Sequence, residues 1–139
     1  MCLLLNARPS TADVDAIFQP ATRIRKAATR VALQMNVSED WLNDGVKGYL
    51  SDRGDYSNYL ELSHLKVLVA SKPYLLAMKC MAMRIGVEFH DIEDIRFLLR
   101  SLNIFSYDSA LEVIAQYYPI DQLPQKTLYA LAELLPKNH

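Results

Sequence analysis

The sequence predicts an α+β fold, with a small mixed sheet and helices in the N-terminal region followed by a C-terminal helical array. Residues 12–18 alternate between apolar and polar side chains except at Ile17, with the period of two that is typical of a strand. A second strand-like stretch covers residues 59–70, and apolar residues recur at helical spacing after Ser71. Strands early and helices late are typical of α+β proteins rather than of a doubly wound sheet.

Two helices are expected in the first half of the chain. Residues 21–35 follow Pro20 and carry an apolar stripe of Ile24, Ala27, Ala28, Val31 and Met35. Ser38 can cap a second, short helix over residues 41–49. A turn is expected over residues 51–55, before the second strand region.

The second half begins with a strong helix-start signal. Ser71 is a good cap, and Pro73 falls in the first turn, where its missing N–H does no harm. That helix is predicted to reach residue 87, and further helices are expected over residues 91–102, 107–117 and 123–135.

Length and composition indicate one folded domain. The chain has 139 residues, 51% of them hydrophobic, so it can bury a core. We divide it into a sheet region, residues 1–70, and a helical region, residues 71–139. The formal net charge of −1 gives no general attraction for nucleic acid or for an anionic membrane. No apolar run approaches the ~18 residues of a membrane-spanning helix, so we expect a cytoplasmic protein.

The first candidate site is a pair of aspartates, Asp13 and Asp15, in the predicted strand. Residues two apart on a strand face the same way, roughly 6–7 Å apart. Carboxylates so placed repel each other unless a cation lies between them, and Mg²⁺ commonly takes one or two carboxylates together with substrate phosphates. The alternative is a solvated strand face with two ordinary aspartates.

The second candidate is Lys79, which lies in a helix that is apolar almost all round. Such a helix is usually buried, and a buried ammonium group is costly unless it is paired. Lys79 therefore needs a carboxylate, a phosphate, or a path to water along its own stem.

The third candidate is the pair Asp91 and Asp94, which share a face of the next predicted helix. Their place in its first turn also suits the positive end of the helix dipole, so a capping role is the alternative. A helix-turn-helix over residues 21–49 is disfavoured, because acidic Asp40 and Asp44 lie where a recognition helix would meet DNA. We expect no sequence-specific DNA binding.

Taken in order, these stretches resemble the minimal nucleotidyltransferases of the DNA polymerase β-like superfamily. Residues 8–16 are similar to the segment R-x-x-T-x-D-[IV]-D of that family, with Arg8, Thr11, Asp13 and Asp15 at the named positions. A later block of lysine, arginine and D-x-x-D is typical of the AbiEii-type members, which are toxins of toxin–antitoxin systems; here it is Lys79, Arg84, Asp91 and Asp94. Residues 40–47 also resemble a segment of these relatives.

The resemblance implies a role for each of these residues. Asp13 and Asp15 would hold Mg²⁺, Lys79 would contact the phosphates of a nucleoside triphosphate, and Arg8, Thr11 and Arg84 would support nucleotide binding. Asp91 or Asp94 would orient or deprotonate the acceptor hydroxyl, or fix Lys79. The implied reaction is transfer of a nucleoside monophosphate to an RNA or protein acceptor.

The chain departs from the family pattern before Arg8. The family places a leading helix and a Gly-Ser or Gly-Gly turn there, whereas seven residues without glycine precede Arg8 here. This predicts that the Gly-Ser part of the fold is missing. The alternative function is therefore an inactive, truncated homologue that acts as an interaction module, as a homodimer or with an antitoxin-like partner.

Overall fold

The protein is a mixed α+β chain, as the sequence predicts. A computed structural model describes residues 14–83 and 91–136. These residues contain five α-helices and two separate two-stranded sheets, rather than the one mixed sheet that was expected. The chain forms two compact units, one ending at Leu50 and one beginning at Ser51.

The first unit contains a short parallel strand pair and a helix. Strand β1 (Val14–Asp15) pairs with β2 (Leu42–Asn43), and helix α1 (Ala21–Met35) lies between them in sequence. The backbone N–H of Val14 donates to the Trp41 carbonyl at 2.6 Å, and that of Ala16 donates to Asn43 at 2.9 Å. The strand predicted over residues 12–18 is thus confirmed in its centre, where β2 supplies a partner.

The helix predicted over residues 41–49 is wrong in type. The segment forms β2 and then a 3-10 helix, Gly45–Tyr49. The backbone groups at the start of this segment are hydrogen-bonded to β1, so they are not available for the hydrogen bonds of an α-helix. Two glycines, Gly45 and Gly48, further weaken the preference for an α-helix.

Helix α1 has the predicted bounds, but its buried side matches the predicted stripe only in part. Ala28 and Ala32 are 5% and 2% exposed, whereas Met35, placed in the predicted stripe, is 68% exposed. Trp41 Nε1 donates to the Ala28 carbonyl at 2.9 Å. Small side chains here allow that close approach. The helix ends at Asn36, whose left-handed backbone (φ 54°) returns its N–H to the Ala32 carbonyl.

The second unit begins with a β-hairpin. Strands β3 (Tyr56–Leu62) and β4 (Leu65–Ala70) are antiparallel, with Leu62 opposite Leu65 at the turn and Tyr56 opposite Ala70 at the base. The register shifts at residues 58–60. The hairpin confirms a strand region here and starts three residues earlier than the sequence predicts.

Four helices follow the hairpin: α2 (Lys72–Met81), α3 (Asp91–Ser101), α4 (Tyr107–Ala115) and α5 (Gln125–Leu134). The predicted cap is confirmed, since the Ser71 side chain accepts from the Tyr74 N–H at 3.3 Å. Helix α2 ends at Met81, before the predicted end, and residues 84–87 lie outside the described residues. Helix α2 is the centre of the unit, because it packs against both α3 and α4.

Candidate functional site

Lys79 is held in the most buried helix of the second unit. Its neighbours Leu76, Ala77 and Cys80 are 0% exposed, as expected for a helix that is apolar almost all round. The Lys79 side chain itself is 21% exposed. Its ammonium group therefore lies at the edge of the core rather than in bulk water.

The ammonium group of Lys79 meets both aspartates of α3. Nζ lies 3.3 Å from Asp91 Oδ1 and 3.0 Å from Asp94 Oδ2. The two carboxylates are three residues apart at the start of α3, so both project from one side of that helix towards α2. Of the three needs set out for Lys79, pairing with a carboxylate is the one observed. We call these three residues the Lys79 cluster.

The Lys79 cluster is more deeply buried than an ordinary surface ion pair. The side chains of Asp91 and Asp94 are 4% and 2% exposed. Burying charged groups costs desolvation free energy that their mutual attraction offsets only in part. A buried ion pair is therefore weak evidence for a gain in stability. Buried charged clusters are candidates for function on this ground. The first-turn position on α3 also suits the helix dipole, which is compatible with the pairing to Lys79.

The predicted aspartate pair is described at one of its two positions. Asp15 lies on β1 opposite Asn43, and its side chain is exposed. Asp13 lies outside the described residues, as do Arg8, Thr11 and Arg84. Among residues 14–83 and 91–136, no three histidine, cysteine or acidic side chains are grouped to hold a metal ion. Asp15 is an accessible oxygen donor of the type that Mg²⁺ prefers.

The second unit contains another polar cluster, around Asp55, which the sequence does not predict. The Asp55 carboxylate accepts hydrogen bonds from Ser71 Oγ and from the Tyr117 hydroxyl, the latter at 3.2 Å and 3.3 Å to its two oxygens. Tyr117 stacks on Tyr74 with 5.1 Å between ring centroids, and Tyr56 meets Tyr74 edge-on at 5.6 Å. These residues are far apart in the sequence, so no local spacing signals the cluster.

Hydrogen bonds of the second polar cluster connect the segment before the hairpin to the helical part of the unit. Ser51 donates its backbone N–H to the Tyr74 hydroxyl at 3.0 Å and its side-chain hydroxyl to the Tyr117 carbonyl. Burial raises the pKa of the Tyr117 phenol, and the neighbouring Asp55 charge raises it further. The phenol therefore stays protonated, and it serves as a hydrogen-bond donor rather than as a base.

Cys80 is a core thiol. It is 0% exposed, and burial raises its pKa to about 12, so it remains protonated and a poor nucleophile at neutral pH. The buried Thr127 hydroxyl donates to the Cys80 carbonyl at 2.8 Å and ties α5 to the end of α2. This contact satisfies a carbonyl that the end of α2 leaves without a helical partner.

The chain matches no family model, no curated protein and no solved structure. Within the described part of the chain, every helix is too short or too polar to cross a membrane.

Proposed function

We propose that this chain is a nucleotidyltransferase-like protein that transfers a nucleoside monophosphate from a nucleoside triphosphate to an RNA or protein acceptor. The Lys79 cluster is the observation that carries the proposal. One part of the family resemblance is a lysine followed by D-x-x-D, and here the lysine and the two aspartates lie on different helices. Their side chains nevertheless meet within 3.3 Å at the edge of the core.

In this proposal the two aspartates position Lys79 for the nucleotide. A lysine side chain has several rotatable bonds, so two carboxylates that hold its Nζ reduce the entropy lost when a phosphate binds. Of the roles implied for Asp91 and Asp94, fixing Lys79 has the most direct geometric support. Arg8, Thr11 and Arg84 are proposed to complete nucleotide binding.

Asp13 and Asp15 are the proposed ligands of Mg²⁺. Carboxylate oxygens suit this ion, which in such sites is usually completed by substrate phosphates and water. When bound, the ion would supply positive charge against the triphosphate. The exposure of Asp15 leaves its carboxylate accessible to a metal–nucleotide complex. A toxin-type protein of this kind would work in the cytoplasm and pair with an antitoxin-like partner.

The metal site can be tested by calorimetric titration of the full chain with each of the four ribonucleoside triphosphates in the presence of Mg²⁺. We expect saturable binding that Asp13→Asn/Asp15→Asn weakens at least about tenfold, since each substitution removes a ligand charge. The control is Asp40→Asn/Asp121→Asn, which removes two exposed carboxylates elsewhere and should bind as the wild type does. Absence of binding by the folded wild-type protein would rule out the proposed enzyme.

A second candidate function, as a self-associating interaction module, is favoured by one face of the hairpin. Leu60 lies opposite Val67 and Leu62 opposite Leu65, so their side chains share a face that Val69 continues. Leu60, Leu62 and Leu65 are 41%, 56% and 46% exposed. Contiguous exposed apolar residues are typical of interaction sites, and a two-fold dimer would cover the same face on both copies.

Light scattering at micromolar concentration separates this candidate from a monomeric enzyme. If the apolar face mediates a dimer, Leu62→Ser should weaken it at least about tenfold, since Leu62 is the most exposed leucine of that face and its apolar contact is lost. Leu68→Ser is the matched control, because Leu68 is 49% exposed on the opposite face of the hairpin. A protein that stays monomeric throughout this range would exclude the dimer.

A further inference from the structure

All the charged residues of helix α1 are basic. Its fifteen residues include Arg23, Arg25, Lys26 and Arg30 and no acidic residue. Arg25 has partners, since it meets Asp44 at 2.7 Å and its guanidinium lies 5.2 Å from the centre of the Phe18 ring. The other three cations are exposed. Their exposure leaves them accessible to a ligand.

The three exposed cations lie on one side of the helix. Positions 23, 26 and 30 are separated by three and four residues, so the side chains project in nearly the same direction over ~10 Å of helix axis. Ala28 and Ala32 face the other way and are buried. We call Arg23, Lys26 and Arg30 the basic side of α1.

This arrangement works against the stability of the helix. Like charges three or four residues apart cost roughly 0.2–0.5 kcal/mol per pair. The first turn contains no acidic residue and the last turn no basic one, so the cations gather towards the end where the helix dipole is already positive. A helix surface that served solubility alone would be more stable with both acidic and basic residues. A charge pattern that lowers helix stability in this way is typical of a functional surface.

We propose that the basic side of α1 binds the phosphates of single-stranded RNA, and that RNA rather than protein is the acceptor class. The acceptor role of RNA rests on the proposed transferase function, whereas RNA binding by the basic side of α1 does not. Three cations in line on a rigid helix suit a chain of phosphates. The formal net charge of −1 means that this attraction must be local.

The structure favours RNA over duplex DNA, and vesicle binding tests a third polyanion. Helix α1 exposes Val31, Leu33 and Met35 at 39%, 76% and 68%, so an anionic membrane surface is the competitor that phosphatidylserine vesicles test. Reading of duplex DNA by a helix-turn-helix requires a second α-helix. The segment after α1 forms β2 and the 3-10 helix instead.

The test is fluorescence anisotropy of a labelled, unstructured RNA oligonucleotide titrated with the full chain, without nucleotide or Mg²⁺. Three phosphate contacts predict a slope of about −2 for log affinity against log salt, or about 20-fold weaker binding when salt rises fourfold. Arg23→Gln/Lys26→Gln/Arg30→Gln should bind at least about tenfold more weakly and lose most of that slope. Glutamine preserves helix propensity, and circular dichroism checks that the variant is folded.

The matched control is Arg96→Gln/Arg100→Gln/Lys126→Gln, which removes three exposed cations from the second unit. It should retain wild-type affinity. Equal losses in both variants, absence of RNA binding at low salt, or tighter binding to duplex DNA or to phosphatidylserine vesicles would overturn the inference. Because nucleotide is absent from this experiment, its failure leaves the proposed enzyme to be tested independently by the triphosphate titration of Asp13→Asn/Asp15→Asn.

Discussion

Replacing Lys79 with methionine should lower the free energy of unfolding by about 3–5 kcal/mol. Methionine keeps the length and the apolar stem of the side chain, so the loss comes from the charge. Asp91 and Asp94 are 4% and 2% exposed, and both would lose the ammonium group that lies within 3.3 Å. Urea unfolding followed by circular dichroism measures the change.

Two comparisons separate the buried charge from other effects of that substitution. Lys126→Met changes an exposed lysine on α5 and should alter stability by less than about 0.5 kcal/mol. Lys79→Met/Asp91→Asn/Asp94→Asn removes all three charges together and should regain most of the stability that Lys79→Met loses. If Lys79→Met proves as stable as Lys126→Met, the cluster is not the buried ion pair described here.

Gly54→Ala should destabilise the protein by roughly 2–3 kcal/mol through overpacking. A Cβ at Gly54 would lie 2.5 Å from Tyr74 Cζ and 2.8 Å from its hydroxyl oxygen, and closer still to Cε2. The Tyr74 ring cannot move aside easily. It is 0% exposed, stacks on Tyr117, and accepts a hydrogen bond from Ser51.

Gly48→Ala is the matched control for Gly54→Ala, because no heavy atom lies within 4 Å of a Cβ built at Gly48. We expect a change within about 0.5 kcal/mol there. The near-UV circular dichroism of the tyrosines is a specific second readout, since the new Cβ would meet Tyr74, whose ring contacts those of Tyr56 and Tyr117. An unchanged unfolding midpoint and an unchanged tyrosine signal in Gly54→Ala would contradict the close packing of Tyr74 on this turn.

Local signals were enough to find most helices. The α1 bounds follow from the apolar spacing after Pro20, and the α2 start follows from Ser71 and Pro73. These signals work because capping and helical periodicity involve residues within one or two turns of each other. The α4 and α5 ends were predicted one or two residues too far out, where helices commonly fray.

Errors arose where a distant segment supplied the deciding partner. Residues 41–49 have a helix-like pattern, yet the backbone groups at the start of this segment form hydrogen bonds with β1 instead. The buried side of α1 was predicted only in part for a similar reason, because Trp41 bonds to the Ala28 carbonyl, and Ala32, outside the predicted stripe, is buried as well. Neither partner can be identified from spacing within the segment itself.

The α+β class, the helix-start signal at Ser71, and the need of Lys79 for either a partner or a path to water were all evident in the amino-acid sequence, because each depends on local periodicity or on the cost of burying one charge. Only the folded chain shows that this partner is Asp91 together with Asp94, and that Asp55 joins Ser71 and Tyr117. Such contacts depend on how helices and strands pack, and packing is set by the whole core rather than by the spacing of any one segment.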